Sequence, residues 1–266
     1  MKFGACIDTL YTELPFYNRF AAAKADGFDA VEFWDWRVHD LDKVAACAKS
    51  AGILISGFNG DADYSLVDPD HYRPYLQELR KSIDAAKALG APSVTIHSNA
   101  LGEGGVVVNH YKELSETVKL TSMVKTLTAA TKLAEENGII LNLEALNTFT
   151  DHVGNFLKET RVAAEVVRLI GSPNLRVLYD VYHMQISEGN LCWNIRQYGD
   201  TFGHVHIADV PGRHEPGTGE INYPAVLREL REMGYTSIVG CELFPENDTV
   251  TAVKAIMAVK AAVEGN

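Results

Sequence analysis

Four residues carry the chemistry that this sequence offers: Glu144, Asp180, His206 and Glu242. They stand 36, 26 and 36 residues apart, each close to the end of an apolar run. Leu141-Asn-Leu-Glu-Ala leads to Glu144, Val177-Leu-Tyr-Asp to Asp180, His204-Val-His-Ile to His206 and Ile238-Val-Gly-Cys-Glu to Glu242. A carboxylate in such a run is costly to bury unless it is paired or bound to a cation. Three carboxylates and one imidazole make an oxygen-rich set that suits one divalent ion, Mn2+ or Mg2+ first, with Co2+ and Zn2+ as further candidates. Each residue also has a plainer reading: Asp180 as the cap of a following helix, His206 as a core histidine with a satisfied partner.

The elements that must position these residues are legible from periodicity. Short apolar runs at 3–7, 28–34, 53–58, 93–97, 139–144, 175–180, 202–208 and 236–242 read as strands. Helical patterns at 15–25, 41–51, 70–89, a segment ending at 137, 155–170, 187–198, 223–233 and 248–264 separate or follow them. Gly52, Gly90 and Gly138 mark helix ends. Strand then helix, eight times over, predicts parallel βαβ units and a single (β/α)8 TIM barrel spanning 1–266 as one domain. A doubly wound open sheet is the rival, but no glycine-rich phosphate loop follows the first strand. In a barrel the four residues sit at the C-terminal ends of consecutive strands, where they converge.

Around that point the sequence places further candidates for substrate contact. His183 lies three residues past Asp180 and is expected in the loop there. Arg213 lies in the loop after His206, among Pro211, Gly212, Pro216, Gly217 and Gly219. An arginine can hold a carboxylate or hydroxyl, and a histidine can polarise a carbonyl; the plainer reading of both is an ion pair with a loop acid such as Glu215 or Glu220. His97, Trp34 and Phe244 are expected to line the pocket.

Composition bounds the function class. A net charge of -11 argues against general nucleic-acid or anionic-membrane binding. Cys6, Cys47, Cys192 and Cys241 form no CxxC pair, in keeping with free thiols in a cytoplasmic protein. The amino-terminal residues lack the pattern of a secretory signal, and no apolar run reaches membrane-spanning length. Exposed aromatic candidates (Tyr11, Trp36 and Tyr64) leave room for a homo-oligomer.

With these residues in hand, the sequence resembles the xylose-isomerase-like TIM barrels, the group that takes in sugar isomerases, epimerases and AP endonuclease family 2. Its loop His204-Val-His-Ile-Ala-Asp-Val-Pro-Gly-Arg-His-Glu-Pro-Gly-Thr-Gly-Glu-Ile-Asn-Tyr223, with Gly240-Cys-Glu-Leu-Phe-Pro245, is similar to the hydroxypyruvate isomerase branch. The resemblance implies that Glu144, Asp180, His206 and Glu242 hold the metal and that Glu144 and Glu242 are the catalytic acid/base pair. It implies isomerisation of a small α-hydroxycarbonyl compound, a hydroxy-keto acid or short sugar, by proton transfer through a cis-enediolate. Two positions depart from that branch. His206 stands where glutamine is common and where ketose 3-epimerases carry histidine; Phe244 stands where lysine is common. A ketose 3-epimerase is therefore the alternative, and a non-catalytic sugar or sugar-acid binding barrel the alternative of a different class.

Overall fold

The computed structural model describes residues 1–264. The chain alternates β1 (Lys2–Cys6), α1 (Phe16–Ala25), β2 (Ala30–Glu32), α2 (Leu41–Ala51), β3 (Leu54–Gly57), α3 (Tyr72–Leu89), β4 (Ser93–His97) and α4 (Glu116–Asn137). It continues through β5 (Ile140–Glu144), α5 (Thr160–Ile170), β6 (Leu175–Asp180), α6 (Val181–Ser187), α7 (Leu191–Tyr198), β7 (Phe202–His206), α8 (Tyr223–Glu232), β8 (Ile238–Cys241) and α9 (Thr249–Glu264). All strand pairs are parallel, and the sheet runs β3-β2-β1-β8-β7-β6-β5-β4. Its two edges meet just past β3, where Thr95 N–H donates to Phe58 O and Gly60 N–H to Thr95 O. This is the expected (β/α)8 barrel.

Two details differ from the sequence expectation. The helix expected over 187–198 begins only at Leu191, as α7, and a separate helix, α6, precedes it, so the polypeptide turns helical at once after β6. The cause is Asp180: its Oδ1 accepts the His183 N–H at 3.1 Å and caps α6. His183 therefore lies on that helix and not in a loop. The helix expected from 155 begins only at Thr160. Residues 145–159 instead form a loop closed on itself by Leu146 N–H to Leu157 O and tied to the end of β4 by Ser98 Oγ, which donates to Asn155 Oδ1 and accepts from Leu157 N–H.

Helix ends fall where glycine permits them. Gly90 and Gly138 close α3 and α4 in the left-handed conformation, with φ of 67° and 68°. Leu141, Leu143, Val177, Val205 and Val239 are fully buried in the apolar core. The barrel's interior is different in kind. Glu32, Ser56, Ser93, Thr95, Asn142 and His204 together line a small internal cavity. Alternation along each strand sorts these two sets to opposite faces. Among the described residues no helix is long and apolar enough to cross a membrane.

Packing inside the barrel is tight at Gly203, beside a register shift between β6 and β7. A Cβ there would lie 2.5 Å from Arg176 Cβ and run into Asn142 Oδ1. Gly203→Ala is expected to lower stability by about 1–3 kcal/mol, read as a lower urea midpoint at an unchanged m-value.

Candidate active site

The last four strands deliver their terminal side chains to one point. Glu144 ends β5, Asp180 ends β6, His206 ends β7, and Glu242 directly follows β8. One donor atom from each lies within 4.8 Å of the others. His206 Nδ1 is 3.3 Å from Glu242 Oε2 and 3.9 Å from both Glu144 Oε1 and Asp180 Oδ2. The register explains the convergence: Glu144 lies beside Leu178, Asp180 beside His206, and His206 beside Gly240 on neighbouring strands.

Glu144, Asp180 and His206 are buried and Glu242 is half-buried, and their charges are managed by named neighbours. Arg213 Nη2 donates to Glu242 Oε2 at 2.5 Å and to Asp180 Oδ2 at 3.5 Å. The ion pair with Glu215 or Glu220 that the sequence also allowed is replaced by one with the cluster itself. Trp34 Nε1–H donates to Glu242 Oε1 at 2.5 Å. Burial opposes the charge on Glu242, but Arg213 and His206 hold its carboxyl below the usual carboxylate range. Burial instead raises Asp180, only partly offset by Arg213. Burial pulls Arg213 down too, yet Glu242 and Asp180 raise it overall.

Two further carboxylates stand behind the cluster. Glu32 faces His204 Nε2 at 2.9 Å with one oxygen and His206 Nε2 at 3.1 Å with the other. Burial resists its ionisation, but the two imidazoles keep it strongly lowered. A carboxylate on Nε2 draws the ring proton there and turns Nδ1 toward the other three acids. Gly240 makes this possible, because a Cβ at that position would run into Glu32 Oε1 and lie 2.8 Å from His206 Cδ2. His97 bridges in the same way, with Nδ1 3.0 Å from Asp61 Oδ1 and Nε2 3.2 Å from Glu144 Oε2. Burial disfavours charge on His97, but Asp61 and Glu144 raise it to about 10.

A cavity of about 560 Å³ opens over the cluster. Every residue expected from the sequence to touch substrate lines it: Trp34, His97, His183, Arg213 and Phe244. Glu144, His206 and Glu242 line it as well, with Asp180 buried behind them. Trp34 and Phe244, 37% and 43% exposed, form a tilted pair at its rim with centroids 6.4 Å apart. His183 is fully buried; its burial, with Arg213 nearby, holds it neutral. Glu32, His204, Asp61, Asn147 and His152 were missed as site residues. The i, i+2 pair His204 and His206 was a usable signal, since both must face the barrel interior. Asp61 and His152 lie in loops, where no period announces a direction.

The donor set fits a divalent cation. Glu144 Oε1 and His206 Nδ1 are buried, face each other and make no hydrogen bond. Unpartnered buried polar atoms of this kind call for a partner, and oxygen-rich donors with one imidazole suit a hard or borderline ion.

A (β/α)8 barrel with a carboxylate–histidine cluster at the C-terminal mouth of its last four strands defines a class of enzyme-like scaffold. The family model for the xylose isomerase-like TIM barrel matches residues 20–261. The chain is 33% identical to the 2-oxo-tetronate isomerase of Haemophilus influenzae, over 95% of this chain and 96% of that one. It is 32% identical to the hydroxypyruvate isomerase of Escherichia coli (strain K12), over 96% and 97% respectively. A solved structure, the AP endonuclease, family 2 from Brucella melitensis, superposes with a TM-score of 0.84 at 29% identity, covering 97% of this chain and 98% of that one. The chain belongs to the xylose isomerase-like TIM barrel family.

Burial, with Glu144 and Glu242 close by, raises Asp180, so its charge opposes folding. Asp180→Asn removes one charge and keeps an oxygen to cap α6. It is expected to stabilise chelator-treated protein by about 1 kcal/mol, seen as a rise in thermal midpoint at pH 8.

Proposed function

We propose that this isomerase-family enzyme is metal-dependent and moves a proton between adjacent carbons of a small α-hydroxycarbonyl compound. The hydroxypyruvate and 2-oxo-tetronate isomerases to which the chain is similar support the reaction class. The observation that carries the reading is the convergence of Glu144, Asp180, His206 and Glu242 beneath an open cavity. In this reading residues 1–266 act as one domain, and the four side chains hold one divalent ion, Mn2+ or Mg2+ first. When bound, the ion supplies Lewis-acid polarisation of the substrate carbonyl.

The chain's own residues account for the remaining steps. One of Glu144 and Glu242 takes the proton from the hydroxyl-bearing carbon; the C–H electron pair moves into the new C=C bond, and the carbonyl oxygen takes up the charge of a cis-enediolate. The hydroxyl proton passes to the former carbonyl oxygen, and the same or the opposite glutamate returns a proton to the neighbouring carbon, so that the first carbon becomes the carbonyl and no atom is lost or gained. Arg213 and Trp34 fix both oxygens of Glu242, and His97 fixes one oxygen of Glu144, so each carboxylate is oriented before substrate arrives. His183 and Arg213 offer polar contacts to the substrate, with Trp34 and Phe244 as its apolar wall.

Return of the proton to the opposite face of the same carbon would be epimerisation. Histidine at 206, in place of the glutamine common in the hydroxypyruvate isomerase branch, favours this second reading. Deuterium uptake from solvent, located by NMR in the product, separates the two: label on the adjacent carbon for isomerisation, on the original carbon for epimerisation.

Glu144→Gln and Glu242→Gln are each expected to lower kcat by at least about 100-fold, with circular dichroism unchanged. Turnover close to wild type in either variant would remove that residue from the proposed pair. Elemental analysis is expected to find about one divalent ion per chain, lost in the double variant. At a hundredfold excess of ion over Kd, chelation is expected to remove about 2.7 kcal/mol of stability. A thermal midpoint indifferent to Mn2+, Mg2+ and chelator would count against the metal site.

A further inference from the structure

Behind Glu144 and His97 stands a buried carboxylate, Asp61, that the proposed proton transfer does not use. Three donors converge on it. Its Oδ2 accepts the His97 backbone N–H at 2.6 Å and the Tyr75 hydroxyl at 3.2 Å, and its Oδ1 takes His97 Nδ1 at 3.0 Å. A carboxylate only accepts, so Nδ1 carries the hydrogen. Nε2, on the far side of the ring, faces Glu144 Oε2 at 3.2 Å.

Two of those three bonds come from one residue, so they act as a clamp. The backbone N–H fixes where His97 begins, and Nδ1 fixes how its ring is turned. Pairing of β4 with β5 sets His97 directly beside Glu144, which brings the ring within reach. Among the described residues the ring is the only hydrogen-bond partner of the Glu144 side chain. Without the clamp the ring is free to turn about χ2, and the buried Oε2 loses its partner.

The seat of Asp61 is built from α3 and from β4. Tyr75 and Glu78 stand three apart on α3 and reach the loop after β3 from one face of that helix. Glu78 accepts the N–H groups of Ala62 and Asp63 at 2.7 and 3.1 Å. Gly60 lets the loop lie close against β4: its N–H donates to Thr95 O at 2.7 Å, and a Cβ there would lie 2.8 Å from Val94 Cγ2. Burying an aspartate is costly unless it is bonded, and what the bonds of Asp61 achieve is the direction of one imidazole.

We propose that Asp61 is a positioning residue of the cluster: through His97 it holds Glu144 with Oε2 tied to the ring and Oε1 left toward His206. The inference rests on the metal-dependent isomerase reading, in which Glu144 serves both the ion and the proton transfer. Groups that orient a metal ligand from behind carry about 10–100-fold in affinity or activity.

The test measures Mn2+ affinity by electron paramagnetic resonance, and turnover of hydroxypyruvate and a 2-oxo-tetronate, in folded protein. Wild type is compared with Asp61→Ala, Asp61→Asn, His97→Leu and the double variant Asp61→Ala/His97→Leu. Asp61→Leu, which fills more of the site, stands in where Asp61→Ala does not fold. Asp61→Ala is expected to weaken Mn2+ binding by at least about tenfold and to lower kcat with KM little changed. Asparagine accepts the backbone N–H with Oδ1 and donates to Nδ1 with its amide, so it keeps the ring's direction. Asp61→Asn is therefore expected to stay within about threefold of wild type in affinity. In the His97→Leu background Asp61→Ala is expected to change affinity no further, because its effect passes through the ring. Wild-type affinity and kcat in Asp61→Ala overturn the proposal. So does a full additional loss in the double variant, the mark of a merely structural role. Mn2+ binding by wild type without turnover would sink the isomerase reading and leave affinity to decide on Asp61; turnover without metal would sink the metal site and leave kcat to decide. A wild type that does neither overturns the proposal together with the reading beneath it.

Discussion

Holding three carboxylates and an imidazole together out of water is the constraint on which the rest of this structure depends. Each buried charge is costly alone, and like charges at a few ångströms raise that cost further. The barrel answers with partners on every side. Arg213 reaches Glu242 and Asp180, Trp34 takes the other oxygen of Glu242, and His97 takes one oxygen of Glu144. Within the four-residue cluster itself, Glu144 Oε1 and His206 Nδ1 stay unsatisfied, and these two atoms face each other.

The histidines show how neighbours, and not the imidazole itself, decide what a ring offers. Glu32 faces Nε2 of His206 and leaves Nδ1 to the cluster. Asn147 fixes His183 in one tautomer, while Gly105 O fixes His152 in the other. Each assignment is made by a group whose hydrogen-bonding role admits no choice: a carboxylate, a carbonyl, or an amide pinned by two backbone donors. The polar barrel interior is thus a scaffold for proton placement. Two glycines make room for it, since a side chain at 240 would strike Glu32 and one at 105 would strike His152.

The loop after β7 has a corresponding role at the mouth. Arg213 adopts a positive φ of 58°, and its carbonyl accepts the N–H of Phe244 at 2.8 Å. Asp209 accepts from Gly217 and Ile221, which folds the loop back on the strand end. The guanidinium is thereby carried over the cluster by backbone contacts with the segment after β8. This explains why its ion pairs are with Glu242 and Asp180 and not with the acids of its own loop.

Much of this was legible in the sequence, because it follows from period and position. Apolar runs of strand length, separated by amphipathic helical stretches with glycine stops, give the order of the barrel, and strand ends give Glu144, Asp180, His206 and Glu242. Those signals are local, so they survive without tertiary information. Asp180 caps α6 with one oxygen and turns the other toward the cluster. Only the tertiary structure decided that Glu32 lies behind His206, that Arg213 turns inward, and that His152 joins the cavity wall. These depend on contacts across 174, 29 and 47 residues of chain, where no periodicity constrains direction. Curling the sheet into a barrel turns β2 and β7, which have β1 and β8 between them, to face each other across the interior, and only that makes a carboxylate at 32 the neighbour of an imidazole at 206.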